Sequence, residues 1–366
     1  MRVLVTGGAG FIGSHTVLLL LQQGHQVDVY DNFANSSPES LRRVAAIAGN
    51  SCRLHIGDLL DEDRLKEALR SSRPDAVVHF AGLKAVGDSV ADPLSYYKIN
   101  VAGTVNLLQA MQESDVKRFV FSSSATVYAE STDLPLKESA ALAASSPYGR
   151  TKLHIEQMLQ DLALSDDSWS IATLRYFNPV GAHPSGQIGE DPQGVPNNLM
   201  PFVAQVAVGR REFVSIYGDD YPTHDGTGVR DYIHVMDLAQ GHIDALTYLS
   251  DHSGHSAWNL GTGIGSSVRE VIDAFGRACG TSLPQKVVAR RPGDIAEYYG
   301  DPTAARLELG WKAENGLEDM ARDMWAWQSL NPTGYTRGFS ESDNEEELNA
   351  YIAEGVDDLS RARAKK

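Results

Sequence analysis

The stretch Val3-Leu-Val-Thr-Gly7-Gly8-Ala-Gly10-Phe-Ile-Gly13 decides the fold. β-Forming residues lead into a glycine-rich turn, and the apolar run that follows, up to Leu20, is typical of a buried helix. Gly8, Gly10 and Gly13 have the G-x-G-x-x-G spacing of a dinucleotide-binding strand–turn–helix unit. In such a unit the glycines let the backbone approach a pyrophosphate, and the helix N-terminus offers unpaired N–H groups to the phosphates.

A second strand and an acid complete this motif. Residues 26–30 (Gln-Val-Asp-Val-Tyr) predict a strand, and Asp31 follows at the distance of about 20 residues that the motif requires. A carboxylate at this position accepts a hydrogen bond from a ribose 2′-OH and repels a 2′-phosphate, which favours NAD over NADP. The alternative is a glycine-rich turn of an unrelated α/β protein, with the strands, helix and acid following one another by coincidence.

The composition is that of an ordinary globular protein, with 42% hydrophobic and 22% charged residues in a chain of 366. The formal net charge of −16 argues against a nucleic-acid or anionic-membrane partner, but it leaves room for a local basic pocket. Cys52 and Cys279 have no metal-ligand spacing and are too few for a disulfide framework. We therefore expect no metal site, reduced thiols and a cytoplasmic location, and no apolar run is long enough to cross a membrane.

Strands and helices alternate up to about residue 170, which predicts a Rossmann-type, doubly wound parallel sheet with helices on both faces. The predicted strands are 2–6, 26–30, 53–56, 75–80, 117–122 and 169–174, and the predicted helices lie near 12–23, 38–48, 61–70, 92–112 and 147–164. The carboxyl ends of such strands meet at one edge, where ligands bind. Small or polar residues follow the predicted strands at 7–13, 31–32, 57–59, 81–84 and 122–124.

Beyond residue 174 the alternation weakens and predicts a smaller α+β lobe, while 256–260 is a candidate to return to the first sheet. The predicted helices of this part lie near 198–208, 235–249, 267–279 and 316–328, and the strands near 213–217, 256–260 and 285–290. The end of the chain is different. The acidic run 340–347 should be solvated, and Leu348, Tyr351 and Ile352 then follow an approximate helical spacing. We expect a flexible tail here, with a short docked helix as the alternative.

A tyrosine and a lysine form the second strong motif, Tyr148-Gly-Arg-Thr-Lys152. Four residues apart on a helix, the two side chains share one face. An adjacent ammonium and the positive charge of an oxidised nicotinamide both favour the phenolate, which makes Tyr148 a candidate general base. Ser124 is the hydroxyl best placed to bond the reacting oxygen, and Ser122 and Ser123 are expected to be structural. Tyr-x-x-x-Lys alone is a weak signal, because surface helices often carry it.

The assembly of glycine turn, Asp31, Ser124, Tyr148 and Lys152 resembles the extended short-chain dehydrogenase/reductase superfamily. Longer stretches are similar to the UDP-galactose 4-epimerase family, namely those that begin at His79, Phe121, Leu174 and Gly226. The resemblance runs from residue 1 to about 335. It implies a nucleotide-sugar isomerase that holds NAD tightly, oxidises the sugar at C4, and reduces the 4-keto intermediate on its other face. It also implies a homodimer formed through the helices near 92–112 and 147–164.

The resemblance further implies an NAD-binding domain at 1–176 to which later segments return, a nucleotide-sugar-binding lobe at 177–335, and a tail at 336–366. The implied NAD-binding residues are Gly7, Gly10, Phe11, Ile12, Gly13, Asp31, Asn32, Asp58, Leu59, Phe80, Ala81, Gly82, Lys84, Ser124, Tyr148, Lys152 and Phe177. The implied ligands of the UDP-hexose are Asn178, Asn198, Leu199, Ser215, Ile216, Tyr217, Arg230, Arg291, Asp294 and Tyr298. Of these, Arg230 and Arg291 match diphosphate ligands, Asp294 a ribose ligand, and 215–217 the segment beside the uracil.

Tyr298 falls where the family has a gate: a bulky residue there excludes N-acetylated sugars, which predicts a preference for UDP-glucose and UDP-galactose. Ile99 departs from the family, which commonly has two asparagines at positions 99 and 100. A rival within the superfamily is a nucleotide-sugar 4,6-dehydratase, whose chemistry needs an acid pair just after Ser124, where this chain has Ala125 and Thr126. A UDP-N-acetylhexosamine 4-epimerase and a non-catalytic NAD-sensing module are two further rivals.

Overall fold

The computed structural model describes residues 1–192, 194–291 and 293–364, the last seven of these by their backbone alone. The strands of the described residues are β1 (Arg2–Thr6), β2 (Gln26–Asp31), β3 (Arg53–Ile56), β4 (Ala76–His79), β5 (Arg118–Ser122), β6 (Ser170–Tyr176), β7 (Asn178–Val180), β8 (Val214–Tyr217), β9 (Val229–His234), β10 (Gly254–Leu260), β11 (Gly265–Ser267), β12 (Gln285–Val288) and β13 (Glu297–Tyr298).

The α-helices of the described residues are α1 (Phe11–Gln22), α2 (Pro38–Ala48), α3 (Glu62–Ser72), α4 (Val86–Ala91), α5 (Pro93–Tyr96), α6 (Gly103–Glu113), α7 (Pro147–Ser165), α8 (Leu199–Ala207), α9 (Val235–Tyr248), α10 (Val268–Cys279), α11 (Leu317–Leu330) and α12 (Glu345–Ala364). Two π-helical turns, Tyr97–Ala102 and Ala305–Leu309, and a 3-10 turn, Ala125–Val127, complete the regular structure.

The predicted Rossmann-type sheet is confirmed. Seven parallel strands lie in the order β3-β2-β1-β4-β5-β6-β10. The order reverses between β1 and β4, and the crevice at the carboxyl ends of these two strands is where such sheets bind ligands. β10 adds the seventh strand by pairing with β6, so residues 254–260 return to the first sheet, as expected.

The sheet is apolar because helices cover both of its faces. One face packs against side chains of α1, α2, α9 and α12, with Leu18, Leu41 and Leu238 fully buried. The other face packs against α3, α6 and α7. Central strands such as β4 are therefore buried along their whole length, which is why their sequence lacks the alternation of a half-exposed strand.

Local signals set the ends of several helices. Ser37 caps α2 by accepting from the N–H of Glu39, and Pro38 follows at the first helical position. Ser267 and Glu270 form a capping box at the start of α10, and Gly280 ends that helix in the left-handed conformation. These ends agree with the predicted helices near 38–48 and 267–279.

The second lobe contains more β-structure than we expected. β9 is its central strand and pairs with β7, β11 and β13, while β8 and β12 form a separate parallel pair. The sequence analysis missed β9 because two charged residues, Arg230 and Asp231, interrupt its apolar pattern. Asp231 is nevertheless fully buried, because the N–H groups of Thr262 and Gly263 and the Thr262 hydroxyl donate to its carboxylate.

The single helix expected near 92–112 is a sequence of shorter pieces. Asp92 caps α5 and Pro93 occupies its first position, so the preceding helix α4 ends at Ala91. The π-helical turn Tyr97–Ala102 then leads into α6. This break brings Asn100 against the segment that follows β4.

The expectation of a flexible tail was wrong, and the docked helix is what the structure shows. Helix α12 packs along α2 and against β3, and the side chains of Leu348 and Ile352 are completely buried in the core of the first sheet. Two of the acidic residues that suggested a solvated segment have partners, one nearby in the chain and one distant. Asp343 accepts from the Arg337 guanidinium, and Glu345 accepts from the N–H of Ile56.

Candidate active site

The glycine turn between β1 and α1 is closed by contacts that leave no room for side chains. Gly7 has φ +68°, and a Cβ on Gly13 would lie 2.2 Å from the Gly7 carbonyl oxygen. Within the described residues no side chain caps α1, and its first turn contains no acid. The N–H groups of Phe11 and Ile12 are therefore available to an anion, and this geometry fits the pyrophosphate of a dinucleotide.

Asp31 lies at the end of β2 and reaches back to the glycine turn. Its carboxylate accepts from the N–H of Ala9 at 2.9 Å, from the N–H of Phe33 at 2.9 Å, and from the Ser36 hydroxyl at 2.9 Å. Burial raises the pKa of Asp31, and these three donors oppose the rise. Asn32 donates to Asp58 at 2.8 Å, which links the ends of β2 and β3.

The turn after β4 is held by Asn100. Its Oδ1 accepts from the N–H of Leu83 at 2.8 Å, and its Nδ2 donates to the Leu83 carbonyl and to Thr151 on α7. Gly82 has φ +152°, where a Cβ would lie 2.9 Å from this Oδ1. Lys84 projects from the same turn and pairs with Glu190 at 3.0 Å, and one oxygen of this buried carboxylate has no protein partner among the described residues. Sequence reasoning did not identify Glu190.

Four further residues of the implied NAD set lie around these turns. Leu59 is buried beside Gly103, and Ala81 lies against the Gly7 backbone. The Phe80 ring is half-buried, with its centroid 4.6 Å from that of His242. Phe177 is buried in a small cluster with Ala125 and Tyr128. The structure therefore places most of the implied NAD residues at the carboxyl edge of the sheet.

Tyr148, Ser124 and Lys152 meet where β5 ends and α7 begins. Tyr148 is 8% exposed, and the Ser124 hydroxyl lies close enough to oppose the rise in its pKa. Lys152 is buried one turn further along α7, where its ammonium donates to the Ser122 carbonyl at 2.9 Å and lies 5.9 Å from the centre of the Tyr148 ring. The shared helix face predicted from the sequence is thus present.

The protein's own groups do not make Tyr148 acidic. Burial raises its pKa to about 12, and the Ser124 hydroxyl only partly opposes this. Burial also lowers the pKa of Lys152 to about 8, against the influence of Glu156. Both shifts have the same cause, since burial disfavours the charged form of either group. A phenolate near neutral pH therefore needs a further positive charge beside Tyr148, which fits an oxidised nicotinamide.

A buried ion pair that the sequence analysis missed supports this part of α7. Arg175 forms a two-pronged pair with Glu156, with the nearest atoms 2.6 Å apart, and Ser123 donates to the same carboxylate at 2.5 Å. Ser122 bonds to Tyr176 and His242. Ser122 and Ser123 are therefore structural, as expected. The sequence signal that could have revealed this ion pair is Arg175 itself, a charged residue inside an otherwise apolar strand.

The implied diphosphate and ribose ligands lie at the edge of the second lobe. Arg230 on β9 pairs with Asp294 at 2.5 Å. The Arg291 guanidinium lies 3.9 Å above the centre of the Tyr217 ring, at the end of β8, the strand that also contains Ser215 and Ile216. These contacts place the residues in two neighbouring groups. Arg230 and Asp294 form one group, and Arg291 and residues 215–217 form the other.

The remaining substrate residues connect this lobe to Ser124. Asn178 donates to the Asp231 carbonyl at 2.9 Å. Asn198 and Leu199 are the cap and the first residue of α8. The Tyr298 hydroxyl donates to the Ala125 carbonyl at 2.5 Å, directly after Ser124, and its ring packs against Phe177. Tyr298 is therefore a residue of this lobe that contacts the backbone next to Ser124.

Two structural features are absent from the part of the chain that the structure describes. Its residues contain no group of three or more His, Cys, Asp or Glu side chains arranged to hold a metal ion. None of its helices is both long and apolar enough to cross a bilayer.

Known proteins share this arrangement. A family model described as GDP-mannose 4,6 dehydratase matches residues 4–324. The UDP-glucose 4-epimerase of Bacillus subtilis is 55% identical over 335 residues, which are 92% of this chain and 99% of the relative. This chain belongs to the UDP-glucose 4-epimerase family. The family model describes an extended short-chain dehydrogenase/reductase family, in agreement with the superfamily that the sequence motifs indicated.

Solved structures of UDP-glucose 4-epimerases have the same fold. The enzyme from Bifidobacterium longum, in complex with NAD+ and UDP, is 51% identical with a TM-score of 0.89, covering 92% of this chain and 100% of the other. The enzyme from Stenotrophomonas maltophila, with bound NAD and formylated UDP-arabinopyranose, is also 51% identical with a TM-score of 0.89, covering 91% and 99%. A Rossmann-type epimerase fold is thereby established for this chain.

The variant Gly13→Ala tests whether the glycine turn binds the cofactor. In Gly13→Ala, the new Cβ would meet the Gly7 carbonyl, and both atoms belong to the turn that would hold the pyrophosphate. Overpacking of this kind costs about 1–3 kcal/mol. We expect the variant to bind NAD at least about tenfold more weakly, as measured by calorimetric titration of protein stripped of nucleotide.

Gly87→Ala is the matched control, because a Cβ on Gly87 in α4 meets nothing within 4 Å. It should bind NAD like the parent. Unchanged NAD affinity in Gly13→Ala would contradict the assignment of this turn to the pyrophosphate.

Proposed function

We propose that this chain is an NAD-dependent UDP-glucose 4-epimerase (EC 5.1.3.2) that interconverts UDP-galactose and UDP-glucose through a 4-keto intermediate. The observation that carries the proposal is the buried Tyr148 beside Ser124 and Lys152, at the sheet edge that also holds the glycine turn and Asp31. Relatives more than half identical over nearly their whole length bear the name of this activity. The pathway served would be galactose metabolism.

The NAD-binding residues of the proposal are those at the carboxyl ends of β1 to β5. Asp31 would hold the adenosine ribose, the first turn of α1 the pyrophosphate, and Lys152 the nicotinamide ribose. When bound, NAD would supply the redox chemistry by taking a hydride from C4 of the sugar and returning it to the other face. Lys152 can serve in this way because its ammonium uses one donor on Ser122 and retains others.

Tyr148 would take the proton from the sugar 4-OH and later return it. Burial alone holds its pKa at about 12, so the residue works only where a positive charge lies beside it. Ser124 would donate to the same sugar oxygen, while the Thr126 hydroxyl and N–H donate to Ser124 and fix its orientation. An oxidised nicotinamide would therefore favour uptake of the proton by Tyr148, and its reduction would favour return of the proton to the sugar oxygen.

The second lobe would hold the UDP while the hexose turns over. Arg230 and Arg291 carry the guanidinium groups suited to a diphosphate, with Asp294 for the ribose and 215–217 beside the uracil. Both arginines are already aligned by Asp294 and Tyr217. Because these residues would bind the UDP tightly and the hexose weakly, the sugar could rotate and present either face to the nicotinamide. We accordingly propose a division of labour between an NAD-binding domain, 1–176 with returning segments, and a substrate lobe, 177–335.

The 4,6-dehydratase reading is disfavoured by the residues after Ser124. Ala125 and Thr126 begin the 3-10 turn there, and neither side chain can move protons at C5 and C6. A role as an NAD-sensing module is disfavoured by the intact Tyr148 and Lys152 pair. The relatives that are more than half identical to this chain are named UDP-glucose 4-epimerase, which favours the epimerase over both rivals.

Removal of the Tyr148 hydroxyl should greatly reduce the rate of turnover. In Tyr148→Phe we expect the rate of UDP-glucose formation from UDP-galactose, without added NAD, to fall by about 10²–10⁴, the contribution of a general acid–base group. Bound NAD should remain. Tyr96→Phe is the control, because Tyr96 is a buried tyrosine whose ring centroid lies 6.5 Å from that of Tyr148 and whose hydroxyl donates to a backbone carbonyl. Near-parental turnover in Tyr148→Phe would exclude it as the base.

The Tyr298 ring should exclude N-acetylated sugars. We propose that the parent prefers UDP-galactose, and that Tyr298→Ser, which removes the ring packed between Phe177 and Ala125, raises the rate ratio of UDP-N-acetylgalactosamine to UDP-galactose by about tenfold or more. Product identification by chromatography measures this ratio. Tyr299→Ser, one residue along the chain, should leave the ratio unchanged. An identical ratio in Tyr298→Ser and the parent would show that the gate lies elsewhere.

We also propose a homodimer formed through the helical region 92–112 and α7, with α4 packed beside them. These helices pack together and expose large apolar side chains: Val90 at 66%, Leu94 at 78% and Leu164 at 83%. The combined change Val90→Glu and Leu94→Glu should convert the dimer to a monomer in light scattering, because burying two carboxylates is unfavourable. Leu307→Glu, at an equally exposed leucine in the turn Ala305–Leu309, should not. A parent that is monomeric would refute the dimer.

A cytoplasmic location completes the proposal. Cys52 and Cys279 are free thiols, and burial raises the pKa of Cys52 to about 12. Thiols of this kind fit a reducing compartment.

A further inference from the structure

The segment between α11 and α12 touches the loop that follows Asp31. The Ser37 hydroxyl donates to the Arg337 carbonyl. The rings of Phe339 and Phe33 are stacked, with centroids 5.1 Å apart and planes inclined by 22°. Phe33 is the second residue after Asp31, and Ser37 caps α2. The tail therefore covers the loop 31–37 through these two contacts.

Phe33 is held in a conformation that needs such support. Its φ is +56°, in the left-handed region that bulky residues rarely adopt. This backbone allows the Phe33 N–H to donate to the Asp31 carboxylate, and it brings Ser36 to the same oxygen. Because Phe339 covers the Phe33 ring, it stabilises the conformation in which the Asp31 carboxylate is fixed.

The tail also braces β3, the edge strand of the sheet. Asn349 accepts from the N–H of Leu54 at 2.8 Å and donates to the Leu54 carbonyl at 2.9 Å, as a neighbouring strand would. Glu345 accepts from the N–H of Ile56 at 3.0 Å and pairs with Arg64. Two residues after Ile56, the chain reaches Asp58, which Asn32 links back to β2.

Helix α12 holds these contacts in place. Leu348 and Ile352 are fully buried, and the Tyr351 hydroxyl donates to Glu39 on α2. A Cβ on Gly355 would lie 2.2 Å from the Arg42 carbonyl, so the two helices cross at close range. The tail is thus fastened to α2 beyond the residues that reach the loop and the strand.

We propose that residues 337–351 are a positioning element for the adenosine half of NAD, acting through Phe33 and the end of β3 to slow cofactor release. This inference rests on the proposed function, because it concerns the NAD that the epimerase retains. The two segments supported by the tail carry Asp31, Asn32 and Asp58. The family model ends at residue 324, so this element lies outside the part of the chain that it describes.

The test measures how fast bound NAD exchanges with isotopically labelled NAD in full-length protein, using mass spectrometry. Phe339→Ala should accelerate exchange about tenfold, since an aromatic pair and its packing are lost. Glu345→Ala should also accelerate it. Phe339→Tyr keeps the stack and should exchange like the parent. Turnover of UDP-galactose with saturating NAD should be unchanged in all three.

Met320→Ala separates positioning from general stability. Met320 is buried in the core of the second lobe, so its truncation should lower the melting temperature while leaving the exchange rate at the parental value. If Phe339→Ala and Glu345→Ala lower the melting temperature but exchange NAD at the parental rate, the tail is only a structural support and the proposal is overturned. If the parent protein binds NAD but has no epimerase activity, the proposed function alone is overturned.

Discussion

The Lys152 ammonium donates to the Ser122 carbonyl at 2.9 Å in a buried site, and this bond fixes α7 to the end of β5. Burying an ammonium costs free energy unless polar groups compensate it. Here the carbonyl and the faces of the Phe121 and Tyr148 rings do so. The position of Tyr148 over Ser124 depends on this attachment, because the two helical residues move as one unit.

The next turn of α7 repeats the attachment. Glu156 joins Arg175 on β6 and Ser123 at the end of β5, so one helix face is bonded to two strands. Removing one partner of such a buried pair leaves an uncompensated charge, typically at a cost of about 3–5 kcal/mol. The proposed catalytic residues Ser124, Tyr148 and Lys152 are therefore fixed in position, and in the proposed mechanism the hexose moves while these side chains do not.

The electrostatics around Tyr148 relate its proposed acid–base role to the charge of the cofactor. Burial raises the pKa of Tyr148 and lowers that of Lys152, so the protein alone favours a neutral phenol. The Tyr-x-x-x-Lys pattern shows which residues act together, but it does not show how strongly burial opposes their charged forms. That depends on Tyr96, Phe121 and the rest of the surrounding core, which come from distant parts of the chain.

The sequence by itself determined the elements whose signals are local. The glycine turn, the strands of the first sheet, Asp31, and the spacing of Tyr148 and Lys152 could all be predicted, because each depends on residues close together in the chain. Tertiary structure decided the rest. Asp231 is buried in β9 because a distant turn satisfies its carboxylate, and Asn100 meets Leu83 because a π-helical turn redirects the chain. The acidic run 340–347 is fixed at two points, because the nearby Arg337 donates to Asp343 and the distant Ile56 donates to Glu345 at the start of α12. Charge composition cannot show such partners.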